Sequence, residues 1–150
     1  MGFQLYFDMD GTLADLYGVD NWLKKLKKSD PSPFECAAPM HDMDELSKML
    51  NLAQSEGAEL YIVSWLPKGA SPTYKEKVAK AKREWLERVL PLVEWDDIYI
   101  LPYGTPKYKV YPLAGAILFD DEERNRVAWE KQGNRGLSPE EIFSVFKNFI

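Results

Sequence analysis

The sequence is poor in the residues that most often hold transition metals. Among its 150 residues there is one cysteine, Cys36, and one histidine, His41. A single cysteine excludes an intrachain disulfide, and a single histidine excludes every metal site that needs two or more histidines. If the chain binds a metal ion, carboxylates must supply most of the ligands, which favours Mg²⁺ or Ca²⁺ over Zn²⁺.

Long hydrophobic runs and an excess of positive charge are also missing. No apolar run approaches the roughly 18 residues of a membrane-spanning helix, and the first residues lack the basic and apolar segments of a signal peptide. The formal net charge of -5 argues against a broad basic face for duplex DNA, although a small phosphorylated ligand needs only local positive charge. We therefore expect a soluble, cytoplasmic protein with no membrane or duplex nucleic-acid partner.

The chain has the size and composition of one domain. Its length falls within the roughly 100–200 residues of a typical domain, and 45% of its residues are hydrophobic, enough for a packed core. We found no internal repeat and no low-complexity segment, so residues 1–150 are predicted to form a single domain. Residues 29–39 are rich in proline, which predicts a loop without a helix.

Four short apolar runs predict β-strands, at residues 3–7, 59–63, 97–101 and 114–119. Nearly continuous apolar runs of this length are typical of strands buried on both faces of a parallel sheet. Helical spacing of apolar residues predicts helices over residues 43–56, 72–89 and 122–132, one from Ser138 onwards and a short one near 20–27. Alternating strands and helices indicate an α/β fold, a Rossmann-like three-layer sandwich with a central, mainly parallel sheet.

Acidic side chains follow the first and last of the predicted strands. Asp8 and Asp10 are two residues apart, so both carboxylates can face one pocket if the segment is extended. Asp120 and Asp121 follow another strand, and the carboxyl ends of parallel strands meet at one edge of a sheet. Several carboxylates at close range repel one another, and Mg²⁺ with its oxygen ligands would relieve that repulsion.

These segments resemble the motifs of the haloacid dehalogenase-like hydrolases. The stretch Asp8-Met9-Asp10-Gly11-Thr12-Leu13 after a hydrophobic strand resembles their first motif, and Ser64 at a strand end resembles their second. Lys107 resembles the lysine of the third motif, and Asp120-Asp121 resembles the acidic fourth motif. The four segments occur in the family's order and span residues 3–125.

The resemblance implies a Mg²⁺-dependent phosphatase acting on a small phosphorylated substrate. Asp8 would be the nucleophile that forms an aspartyl-phosphate, and Asp10 the general acid and base. The metal would be held by Asp8, the backbone carbonyl of Asp10, and the pair Asp120-Asp121, with Asp121 as the direct ligand and Asp120 supporting it. The residues expected to bind the phosphate are Thr12, Ser64, Trp65 and Lys107, with Lys109 as the alternative to Lys107.

The substrate is less well defined than the chemistry. Members of this family choose substrates with an inserted cap, and here only residues 14–40 are available for one. The first motif is similar to that of the 5'(3')-deoxyribonucleotidases, which have a larger cap and usually valine in place of Thr12. A nucleotide is therefore one expected substrate. The alternatives are a non-catalytic phospholigand-binding or regulatory module, and a phosphotransferase that uses the same intermediate.

Simpler interpretations exist for several of these residues. An Asp-x-Asp-Gly turn also begins calcium-binding loops, but the positions after Gly11 lack the further acidic ligands of an EF-hand. Asp120 and Asp121 alone would suit the start of a helix. Cys36 and His41 lie in or beside the proline-rich segment with no defined geometry, so a thiol nucleophile is disfavoured.

Overall fold

The computed structural model describes residues 3–147. In this range seven strands occur in chain order: β1 (Gln4–Phe7), β2 (Ala14–Asp15), β3 (Ala38–Pro39), β4 (Glu59–Trp65), β5 (Asp97–Leu101), β6 (Ile117–Phe119) and β7 (Arg135–Leu137). The α-helices are α1 (Trp22–Lys27), α2 (Ser32–Cys36), α3 (Met43–Ser55), α4 (Pro72–Val89), α5 (Glu123–Glu130) and α6 (Ile142–Phe146). Three short 3-10 helices cover Leu16–Gly18, Lys107–Val110 and Pro139–Glu141.

Five strands form a parallel sheet in the order β5-β4-β1-β6-β7. The chain runs outward from β1 to β4 and β5, and then returns to the other side of β1 for β6 and β7. Strand β1 therefore lies at the point where the direction of winding reverses, and in α/β sheets ligands bind outside the carboxyl ends of the strands at this point. The predicted α/β fold with a central parallel sheet is confirmed.

Side chains that alternate along strand β1 pack on opposite faces of the sheet. Leu5 and Phe7 of β1 pack in one cluster with residues of α3, α4 and α6, whereas Tyr6 packs with Trp129 of α5. Successive side chains of a strand point to opposite faces of the sheet. Because helices cover both faces, most residues of these strands are apolar. The result is a layer of helices on each side of the sheet, with β1 at its centre.

The segment between residues 14 and 40 folds into small elements beside this sheet. Strands β2 and β3 pair antiparallel, and α1 and α2 lie between them. The prediction of a loop without a helix over residues 29–39 is wrong, because α2 occupies Ser32–Cys36. Pro33 lies in the first turn of α2, where a backbone N–H has no partner within the helix, and so proline is tolerated there.

The long helix α4 begins and ends where its sequence predicts. The Ser71 side chain accepts a hydrogen bond from the backbone N–H of Tyr74 at 3.2 Å, and Pro72 occupies the first helical position. Val78, Ala81 and Trp85 on its inner face are buried. Lys82 lies on the same face and is also buried, although its side chain is charged.

No helix between residues 3 and 147 combines the length and the hydropathy needed to cross a membrane.

Candidate active site

A cavity of about 310 Å³ opens at the carboxyl ends of β1, β4 and β6. Its charged floor comes from the predicted motifs, and its wall comes largely from the segment between β2 and β3. The floor is lined by Asp8, Asp10, Lys107, Asp120, Asp121 and Asn125. The structure thus brings together the acidic residues of the first and fourth motifs and the lysine of the third.

Asp8, which follows β1 directly, is held at both carboxylate oxygens. The Lys107 ammonium donates to Oδ1 at 2.8 Å, and the Thr12 hydroxyl donates to Oδ2 at 3.0 Å. Asp8 is 6% exposed, so these contacts replace most of its hydration. Thr12 was expected to bind phosphate, and in the structure it is fully buried and contacts Asp8 instead of lining the cavity.

Lys107 bridges two carboxylates from different strands. Its ammonium lies 2.8 Å from Asp8 Oδ1 and 2.7 Å from Asp120 Oδ2. Burial by itself lowers the pKa of Lys107, but the two carboxylates outweigh burial and raise the pKa above its usual value, so the side chain stays charged. Lys109, two residues along the same 3-10 helix, is exposed.

The two acidic residues after β6 have different surroundings. Asp120 is fully buried, and its carboxylate accepts hydrogen bonds from Lys107, from the Asn125 side chain at 3.1 Å and from the backbone N–H of Glu122 at 2.9 Å. Asp121 is exposed as a residue, and its carboxyl lies against Gly11 beside Asp8. This arrangement suits Asp120 for support and leaves the carboxyl of Asp121 available to a ligand.

Three carboxylates of the floor are close enough to share a cation. Asp8, Asp120 and Asp121 each offer an oxygen, and these atoms lie within 4.8 Å of one another. Loss of hydration and the nearby Asp8 and Asp120 raise the pKa of Asp121 to about 8, which reports the repulsion among them. An all-oxygen donor set of this charge fits Mg²⁺. The carboxylate of Asp10 is not part of this cluster.

Gly11 allows the Asp121 carboxyl to approach the first motif. A Cβ at position 11 would lie 2.3 Å from Asp121 Oδ2, and the backbone φ of +84° lies in the left-handed region that favours glycine. Only a residue without a side chain fits this combination of contact and backbone angle.

Replacing Gly11 by alanine is expected to weaken Mg²⁺ binding at least about 10-fold, because the new methyl group pushes Asp121 away from Asp8. Isothermal titration calorimetry with Mg²⁺ measures the change. Gly115→Ala is the matched control, since Gly115 has the same φ of +84° and nothing within 4 Å of its would-be Cβ. Equal weakening in both variants would show that backbone strain, and not the contact with Asp121, is responsible.

The pKa of Asp121 gives the metal-free protein an unusual dependence on pH. The folded state holds a proton on this carboxyl up to about pH 8, whereas the ordinary pKa of an aspartate in an unfolded chain is 3.8. The folded state therefore binds more protons between these pH values, and the free energy of unfolding falls as the pH rises through this range.

We expect a lower melting temperature at pH 8 than at pH 5.5 when EDTA is present. Saturating Mg²⁺ reverses most of this loss at pH 8, because it binds the ionised carboxylates. Thermal unfolding at the two pH values, with EDTA and with Mg²⁺, checks the prediction. The variant Asp121→Asn lacks the titrating group and should show a smaller decrease with EDTA; a decrease as large as in the wild type would contradict the assignment to Asp121.

The two residues of the second motif, at the end of β4, differ in their access to the cavity. Ser64 is fully buried and does not line the cavity, and its Oγ accepts a hydrogen bond from the Lys82 ammonium at 2.7 Å. Trp65 does line the cavity, and its indole N–H donates to the backbone carbonyl of Thr105 at 2.7 Å. The role of Ser64 and Trp65 in phosphate binding remains a prediction.

Asp10 faces the cavity and is paired with a lysine that the motifs do not contain. The Lys82 ammonium donates to Asp10 Oδ2 at 3.0 Å. Sequence reasoning missed Lys82 and Asn125. For Lys82 a signal existed, since it follows Val78 by four residues and so shares the buried face of α4. For Asn125 the sequence offers no comparable signal.

The upper wall of the cavity is apolar and aromatic. It is formed by Leu16, Tyr17, Trp22, Leu23, Leu26, Phe34, Trp65 and Tyr103. Tyr17 stacks edge-on against Trp22 with ring centroids 5.0 Å apart, and the centroids of Trp65 and Tyr103 lie 5.1 Å apart. Burial and the nearby Asp121 raise the pKa of Tyr17, so its hydroxyl stays protonated. The wall offers flat apolar surfaces above a charged floor.

Solved structures that share this fold include two phosphatases. The D,D-heptose 1.7-bisphosphate phosphatase of B. bronchiseptica, in complex with magnesium and phosphate, has a TM-score of 0.61 and 15% identity over 89% of this chain and 78% of that chain. The D,D-heptose 1,7-bisphosphate phosphatase of Burkholderia thailandensis has a TM-score of 0.61 and 9% identity over 98% of this chain and 97% of that chain. No protein-family profile and no curated protein sequence matches the chain. The comparison thus confirms the predicted α/β fold, which this chain shares with these two phosphatases.

Proposed function

We propose that the protein is a Mg²⁺-dependent phosphomonoester hydrolase that works through an aspartyl-phosphate. The observation that carries the proposal is the position of Asp8. It lies at the end of the central strand, is fixed by Thr12 and Lys107, and faces the cavity beside two further carboxylates. A fold shared with two phosphatases supports the same conclusion.

In the first step a carboxylate oxygen of Asp8 attacks phosphorus. The new bond to phosphorus forms as the ester P–O bond breaks, and the leaving oxygen takes a proton from Asp10. Lys107 lies 2.8 Å from Asp8 and balances negative charge next to the reacting group. The products of this step are the free alcohol and an aspartyl-phosphate on Asp8.

In the second step water attacks phosphorus in the aspartyl-phosphate. Asp10, now ionised, takes a proton from this water, and the bond between phosphorus and the Asp8 oxygen breaks. Inorganic phosphate leaves, Asp8 is again a carboxylate, and Asp10 is again protonated for the next substrate. Each residue thus returns to its starting state after one turnover.

The residues that would hold Mg²⁺ are Asp8, the backbone carbonyl of Asp10, and Asp121, with Asp120 supporting them through its contacts to Lys107 and Asn125. When bound, Mg²⁺ supplies positive charge that reduces the repulsion between carboxylates and the phosphate oxygens. The cluster of three carboxylates and the raised pKa of Asp121 support this assignment.

The substrate proposed first is a nucleotide. Its flat base would pack against the aromatic wall, and residues 14–40 would act as a minimal cap within a single domain, since several of them line the cavity. The similarity of the first motif to that of the 5'(3')-deoxyribonucleotidases supports this choice. A sugar phosphate is the second candidate, because both structural neighbours are heptose bisphosphate phosphatases. A cytoplasmic location stays a prediction from the sequence.

Phosphate release from a panel of nucleotides and sugar phosphates tests the proposal. We expect turnover with Mg²⁺ and none with EDTA, with the best kcat/KM on a nucleotide. Mg²⁺-dependent binding without turnover would favour the non-catalytic phospholigand-binding module. Transfer of the phosphoryl group to an added alcohol in preference to water, seen by product analysis, would favour the phosphotransferase.

A further inference from the structure

Lys82 is a charged residue on the buried face of α4, where apolar residues are expected. Its side chain is 1% exposed, and it shares the inner face of α4 with Val78, Ala81 and Trp85. Burial of an ammonium group is costly unless its hydrogen-bond donors and its charge are matched. The contacts that Lys82 makes therefore show what its burial achieves.

All three N–H donors of the Lys82 ammonium have acceptors. They are Asp10 Oδ2 at 3.0 Å, Ser64 Oγ at 2.7 Å and the backbone carbonyl of Trp65 at 2.7 Å. An ammonium group has three donors, so none remains for a substrate. The ring of Phe34 lies 5.3 Å from Nζ. These contacts fix the ammonium between the end of β4 and the first motif.

This geometry restricts how the Asp10 carboxylate can turn. Its Oδ2 is held by Lys82, and no second side-chain hydrogen bond to Asp10 occurs among residues 3–147. With Oδ2 engaged, Oδ1 is the oxygen free to exchange a proton with the substrate. We propose that Lys82 is a positioning residue that holds the Asp10 carboxylate in place for proton transfer to the leaving group. This inference rests on the proposed function, because it assigns Asp10 the role of general acid.

The second motif gains a role in this arrangement. The Ser64 hydroxyl and the Trp65 carbonyl each accept a hydrogen bond from Lys82. They thus hold the Lys82 ammonium in the position from which it contacts Asp10. A Ser64 hydroxyl that accepts from Lys82 also keeps its own proton for donation. The end of β4 is in this way connected to the end of β1.

A purely structural ion pair would predict a different result from a positioning residue. Loss of a structural pair lowers the amount or the stability of folded enzyme, and so it affects all substrates equally. Loss of general-acid positioning matters most for a leaving group that cannot depart without a proton. Esters with good and poor leaving groups therefore separate the two interpretations.

The test compares p-nitrophenyl phosphate, whose leaving group departs without protonation, with glycerol phosphate, whose alcohol must be protonated. In Lys82→Met we expect kcat/KM to fall about 100-fold for glycerol phosphate and no more than about 5-fold for p-nitrophenyl phosphate. The matched control is Lys80→Met on the same helix, since the Lys80 side chain is 77% exposed and forms a surface ion pair with Glu84. This control should leave both rates unchanged.

A double-mutant cycle shows whether Lys82 acts through Asp10. In the Asp10→Asn background, Lys82→Met should lower the rate on glycerol phosphate by less than about 3-fold, because the group it positions is already gone. Equal losses on the two esters, or an undiminished loss in the Asp10→Asn background, would overturn the proposal. A wild type that releases phosphate from neither ester and from no member of the panel of nucleotides and sugar phosphates would instead refute the proposed function itself.

A second variant covers the case in which Lys82→Met fails to fold, as judged by circular dichroism. Lys82→Arg keeps the positive charge, but its planar guanidinium cannot direct three donors to the same three acceptors. The same selective loss on glycerol phosphate is expected. An arginine variant with equal losses on both esters would count against positioning.

Discussion

Replacing Asp8 by asparagine is expected to lower kcat for phosphate release at least about 1,000-fold without lowering the melting temperature of the metal-free protein at pH 8. An amide is a poor nucleophile and cannot form the aspartyl-phosphate. It can still accept the hydrogen bond from Lys107, and it removes a charge that helps to raise the pKa values of Asp120 and Asp121. Activity is lost while repulsion in the site decreases.

Two measurements check this result, a phosphate-release assay and thermal unfolding with EDTA at pH 8. The control is Asp44→Asn, which changes an exposed aspartate in the first turn of α3 and should affect neither quantity. Undiminished turnover in Asp8→Asn would refute the nucleophile assignment. A large loss of stability would show that Asp8 is held mainly for structure.

The acidic edge of the sheet could be predicted from the sequence because its motifs are local. Asp8 and Asp120 each follow a short apolar strand directly, so predicting the strand also predicts where the carboxylate lies. The strands β1, β4 and β5 were found within two residues of their ends, because each is a nearly continuous apolar run, which is typical of strands in a parallel sheet. Strand β7, Arg135–Leu137, was missed because three residues with a central glycine carry no such signal.

Contacts between distant segments could not be predicted in the same way. The choice between Lys107 and Lys109 depends on the orientation of a 3-10 helix, which two residues of sequence separation do not define. The contact of Lys82 with Asp10 joins residues 72 positions apart, and it depends on how α4 packs against the end of β4. Side-chain pairing of this kind is a property of the packed fold.

The largest expected effect on stability comes from Lys107. Replacing it by methionine leaves Asp8 and Asp120 buried without their shared cation. Breaking a buried pair by removing one partner costs about 3–5 kcal/mol, because the remaining charge is uncompensated. We expect Lys107→Met to lower the free energy of unfolding by about this amount in EDTA at pH 8. We also expect it to lower kcat in the presence of Mg²⁺, since the ammonium group that contacts the nucleophile is gone.

Mg²⁺ distinguishes this electrostatic effect from a loss of packing. If Lys107 stabilises the fold by offsetting carboxylate charge, saturating Mg²⁺ should raise the melting temperature of Lys107→Met more than that of the wild type. The variant Lys109→Met removes an equal charge from an exposed position on the same 3-10 helix, and so it should change neither stability nor kcat. An equal response of Lys107→Met and the wild type to Mg²⁺ would mean that the buried side chain stabilises the fold through packing. A comparable loss of activity in Lys107→Met and Lys109→Met would contradict the proposed role of Lys107 beside the nucleophile.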